Sequence, residues 1–142
     1  MAETILINRP EEVEKIVNII HDCWFDIDDI DYRKNLSELN IRFEKKIIEH
    51  CISENWLLFF KKVTCPIIEC FLKIHHVQRY DLHDSEGIGV YDFNTIEFDN
   101  EKQAIRILTG VPLDFFIKIN QFEISVEITD NILRSEKSIL LM

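Results

Sequence analysis

Residues Phe25-Asp26-Ile27-Asp28-Asp29-Ile30-Asp31-Tyr32 read without a gap against Tyr91-Asp92-Phe93-Asn94-Thr95-Ile96-Glu97-Phe98, an offset of 66 positions. The same offset carries Leu39-Asn40-Ile41 onto Ile105-Arg106-Ile107. Each copy is an aromatic and acidic strand, a polar loop and a second alternating strand, the pattern of a β-hairpin. The hairpins fall at about 25–43 and 91–109. Within each copy the alternation changes phase once. Phe25 and Ile27 share a parity that Ile30 and Tyr32 lack, and Tyr91 and Phe93 slip against Ile96 and Phe98 in the same way. Such a slip turns side chains inside out unless a bulge or bend absorbs it. Corners are therefore expected at Asp28-Asp29 and Asn94-Thr95, with the sheet bending at both.

Ahead of the first copy, Val13, Ile16, Val17, Ile20, Cys23 and Trp24 recur at spacings of three and four, one apolar stripe of a helix. Asn8-Arg9-Pro10-Glu11-Glu12 supplies its start, with an early proline and acids in the first turn. Between the copies, Ile47, Ile48, Cys51 and Ile52 allow a short helix, and Trp56-Leu57-Leu58-Phe59-Phe60 reads better as a strand. Residues 64–79 form the longest strand candidate, apolar on both faces as a central strand would be. Phe115, Ile117 and Ile119 alternate and then change parity to Phe122, Ile124 and Val126, which calls for a bulge or a tight turn at Asn120-Gln121. The expected fold is α+β: an N-terminal amphipathic helix packed on a bent, mainly antiparallel sheet of about six to eight strands that contains the two hairpins. At 142 residues the chain is expected to form a single domain, 1–142. The closing Ile139-Leu140-Leu141-Met142 is expected to be buried, either on this domain or in a homodimer contact.

With 16 basic and 26 acidic residues the net charge is −10, which argues against nucleic acid and against anionic membranes as ligands. It suits solubility or a basic protein partner. No apolar run reaches the length of a membrane-spanning helix, and the first residues lack the pattern of a signal peptide, so the cytoplasm is the default compartment. Cysteines 23, 51, 65 and 70 have no ligand or redox spacing, and all four are expected to be reduced.

Candidate chemistry is sparse. Asp26-Ile27-Asp28 matches the short nucleophile motif of haloacid-dehalogenase-type phosphatases, but a helix leads into it and the second acidic motif is missing, so an acidic strand face explains it better. The aspartates between 22 and 31 lack the glycine of a calcium loop. Neither His50-Cys51 nor His21 with Cys23 forms a nucleophile pair by proximity, because neighbours on a helix or strand do not face each other. His75, Asp81 and His83 are the candidate metal ligands. Along an extended strand they spread apart, so a turn would have to bring them together. No cofactor is expected.

The sequence leads to a non-catalytic binding or protein-interaction domain, such as an immunity-type neutraliser of a basic partner. That reading requires an acidic face unbroken by Lys or Arg. The alternatives are a small metal-dependent enzyme built on His75, Asp81 and His83, and a homo-oligomeric structural protein joined through its C-terminal tail.

Overall fold

The computed structural model describes residues 2–141. Eleven strands occur among them: β1 (Glu3–Ile7), β2 (Trp24–Asp26), β3 (Ile30–Arg33), β4 (Glu38–Lys46), β5 (Ile52–Leu57), β6 (Phe60–Ile74), β7 (Val77–His83), β8 (Val90–Asp99), β9 (Ala104–Thr109), β10 (Asp114–Ile119) and β11 (Ile124–Leu141). The single α-helix, α1, covers only Val13–Ile20 after a 3-10 turn at Pro10–Glu12. The fold is therefore mostly antiparallel β, with more strands and less helix than expected. The helical stripe is nonetheless real, since Ile16, Val17 and Ile20 are buried. The helix stops earlier than the stripe suggested because Trp24 already belongs to β2.

Both expected corners are present. Asp28-Asp29 lies in a 3-10 turn that separates β2 from β3, and the Asp26 carboxylate accepts from the Asp28 N–H. The β8–β9 register shifts between Phe93 and Thr95. The end of α1 seats that bulge: the Asp22 N–H donates to the Phe93 carbonyl, and the Cys23 carbonyl accepts from the Phe93 N–H.

The two copies meet in space. β2 pairs antiparallel with β8, Phe25 opposite Tyr91, with Trp24 opposite Asp92 and Asp26 opposite Val90. These are residues related by the 66-residue offset, so a local two-fold axis passes between Phe25 and Tyr91. The sheet order β11-β6-β4-β2-β8-β9-β10-β7 extends equally on both sides of that axis, with β1 outside β11. The core-facing pairs related by the repeat, Leu39 with Ile105 and Ile41 with Ile107, are all fully buried. Around the axis, Phe25 stacks on Phe93 at 4.5 Å between ring centres, and Phe43 meets Phe93 edge-on at 5.5 Å.

The outer strands are exchanged. β7 follows β6 in sequence but pairs with β10, and β11 follows β10 but pairs with β6. The two crossing connections lie against each other: the His75 N–H donates to the Glu123 carbonyl and the Asn120 N–H to the His76 carbonyl. The longest strand candidate is thus cut at His75-His76, where His76 takes φ +57°. The phase change at Asn120-Gln121 is likewise a turn between two strands.

Three further expectations are corrected. The possible helix near Ile47 is only a 3-10 turn at Ile48–His50. Cys51 and Cys65 are joined by a disulfide, their Cα atoms 4.2 Å apart, because β5 folds back on β6 and sets them side by side. Cys23 and Cys70 remain free and buried, as read. The apolar tail is not buried in the domain: Ile139, Leu140 and Leu141 pair with Lys62, Lys61 and Phe60 at the end of the sheet but stay 45%, 46% and 74% exposed. Met142 lies outside the described residues.

Candidate functional site

The candidate metal ligands do not gather. Asp81 and His83 stand on the exposed side of β7, whose other side turns Tyr80 and Leu82 toward the core. Asp81 pairs with Arg79. His75 points away from them to β11, its Nε2 2.9 Å from Ser125 Oγ. Among the described residues, no group of three His, Cys, Asp or Glu side chains could hold a metal ion.

His75 instead belongs to the crossing of the exchanged strands. Glu123 faces both histidines, at 3.9 Å from His75 Nδ1 and 3.3 Å from His76 Nε2. Serine, histidine and glutamate in this order resemble a hydrolytic relay, but the geometry is wrong for one. Ser125 is 5% exposed, which closes its hydroxyl to a substrate, and 3.9 Å is too long for the orienting hydrogen bond. The cluster ties the two connections together. Sequence reasoning missed Glu123 and Ser125 because they lie about fifty residues from His75 and become neighbours only through the exchange.

The remaining candidates are occupied structurally. Asp29 lies 3.4 Å from Arg42, which also reaches Glu44 and Glu69. Glu44 accepts from Trp24 Nε1 and from Arg134. Asp29, Arg42, Glu44 and Arg134 line a cleft of about 210 Å³ and satisfy one another there. The Arg42 guanidinium, hydrogen-bonded to Glu69, holds that carboxyl below its ordinary range. Burial pushes the Cys23 thiol up to about 11 and the Cys70 thiol up to about 12, so neither is a nucleophile at neutral pH. Cys51 is consumed by the disulfide. A larger groove of about 610 Å³ beside the β8–β9 turn is lined by mixed charges, among them Glu97, Asp99, Lys102 and Arg106. It brings together no acid–base or nucleophile set.

One surface stands apart. Past Cys65 the sheet narrows to three strands: β5, the start of β6, and the end of β11. They form an arm that continues beyond the core. The register puts Ile52, Phe60, Ile139 and Leu141 on one side of it, in line with the core-facing side of β6. At the end of the arm sit Trp56, Leu57, Leu58, Phe59, Phe60 and Leu141. Their exposures run from 36% at Phe60 to 89% at Leu58. Trp56 and Phe60 meet edge-on at 6.4 Å, so the tip has internal order. The disulfide pins β5 to β6 at the root. Contiguous apolar exposure on this scale marks a contact surface in folded proteins far more often than single exposed leucines do. Comparison of the chain with known protein families, curated proteins and solved structures gives no match.

Proposed function

We propose that this protein is a non-catalytic binding module whose sheet body carries a docking arm, residues 52–64 with 135–141. The observation behind this reading is the apolar tip, held out by a disulfide-pinned, three-stranded ribbon. The fold gains little from those side chains where they stand, since largely exposed apolar groups contribute little burial energy. The neutraliser of a basic partner receives less support. Its acidic face would have to be unbroken, whereas Arg33, Arg42, Arg79 and Arg134 each stand among the carboxylates.

The test is a denaturant titration of the triple variant Trp56→Ser, Leu58→Ser, Phe59→Ser. A docking tip predicts a folding stability within about 1.5 kcal/mol of the parent, about 0.5 kcal/mol for each of the three surface substitutions. A loss above about 2 kcal/mol would mean that the tip belongs to the core, and the docking reading would fall.

A further inference from the structure

The arm's charges indicate what it docks on. It carries three lysines, Lys61, Lys62 and Lys137, against two glutamates, Glu54 and Glu136, in a chain whose net charge is −10. Glu136 is turned to Lys46, 3.0 Å away. Lys61 and Lys62 directly follow the apolar tip and sit opposite Leu140 and Ile139 of β11. An apolar end with an indole ring, collared by lysines, has the layout of a segment that enters the interfacial layer of a membrane. Leu58 and Phe59 form the turn at the tip, and Lys61 stands about two residues back along the strand, roughly 7 Å. That matches the roughly 5–10 Å to which interfacial segments sink, and it leaves the ammonium groups level with lipid phosphates.

The acidic body does not forbid this. With Lys61 at the headgroups, Cys65 at the root lies four residues further along the strand, about 13 Å at roughly 3.3 Å per residue. Surface charges are screened over about 8 Å at physiological ionic strength. The arm therefore holds the root of the body about one and a half screening lengths from the headgroups, which weakens the body's repulsion. Two copies joined tip to tip fare worse, because they would crowd four lysines around one apolar contact.

Building on the docking reading above, we infer that the tip Trp56–Phe60 inserts into the interface of a bilayer containing anionic phospholipid, with Lys61 and Lys62 on the headgroups. The experiment is vesicle flotation, using phosphatidylcholine vesicles with and without phosphatidylserine. Trp24→Phe leaves Trp56 as the sole indole reporter. The expected result is flotation with the phosphatidylserine vesicles and a blue shift of Trp56 emission on mixing. Lys61→Gln with Lys62→Gln should weaken binding roughly fivefold per lysine. The triple serine variant should weaken it at least about tenfold at unchanged fold stability. No flotation on either vesicle overturns the inference. If sedimentation then shows a dimer that the triple variant dissolves, the arm docks on a second copy; the membrane inference falls and the docking reading stands. Binding that the triple variant retains also overturns the inference, because the tip would then not be the contact.

Discussion

Replacing Phe25 by alanine tests the architecture at its centre. Phe25 is 1% exposed and lies on the local two-fold axis opposite Tyr91. Its ring is stacked on Phe93 at 4.5 Å and tilted against Tyr91 and Phe115, both at 6.4 Å. Truncating a buried phenylalanine costs about 3–5 kcal/mol, made up of lost transfer energy and the cavity left behind. Three aromatic neighbours, on strands fixed by pairing on both sides, leave little freedom to collapse into that cavity. The upper half of the range, about 4–5 kcal/mol, is therefore expected, a large share of the roughly 5–15 kcal/mol that such domains possess. Urea titration followed by circular dichroism measures the loss. A double-mutant cycle with Phe93→Leu should return a coupling of about 0.5–1.5 kcal/mol for the stacked pair. A loss below about 2 kcal/mol, or a coupling indistinguishable from zero, would mean that the two hairpin copies do not meet at this ring.

Three other outcomes follow from the side-chain environments. Reduction of Cys51–Cys65, which closes a loop of sequence separation 14, should lower stability by up to about 3 kcal/mol and speed amide exchange in β5, whereas unchanged exchange would show that the arm needs no clamp. Arg42→Met should raise the Glu69 pKa toward its ordinary value, since the Arg42 hydrogen bond is the largest cause of its depression. Because the native pKa is depressed, the stability it contributes is present above the unfolded value near 4.5 and fades as pH falls through the folded value. The gap between parent and variant should thus be widest at neutral pH and close in acid, and a gap that widens in acid would contradict the pairing. Cys23 and Cys70 should resist iodoacetamide in the native protein at pH 8 and react on unfolding, as peptide mass spectrometry would show.

Much of the local structure was legible because it is written in periodicity. The helix stripe, both corners and the strands of the two hairpins follow from side-chain alternation that the core enforces. The helix misled in extent, since a single α turn series with a 3-10 lead suffices to bury Ile16 and Ile20. The exchange of β7 and β11 was not legible, because His75-His76 is only a two-residue connection and nothing local states which neighbour a strand will choose. The disulfide was hidden for a related reason: Cys51 and Cys65 become partners only once β5 folds back on β6. The apolar run at 139–141 was visible, but burial within the domain was the wrong inference from it. A strand can pair its backbone fully and still leave its side chains in water when no layer covers it. Net charge misled as well, because a total of −10 conceals an arm of the opposite sign.

The exchange also sets a timetable for synthesis. β6, the central strand of the first half, cannot acquire its outer neighbour until β11 has been made. Ile74 and Arg134 are separated by roughly 60 residues, so at 5–20 residues per second the wait is about 3–12 s. During it, Cys70, Leu72 and Ile74 lie along an open strand edge, and β7 has no β10 to join. Each half of the repeat takes its outer strand from the other, although each is a unit that can be read in the sequence. Until β11 arrives, a long, apolar strand has one unpaired edge, and a fragment that stops short of β11 should aggregate rather than yield half a domain.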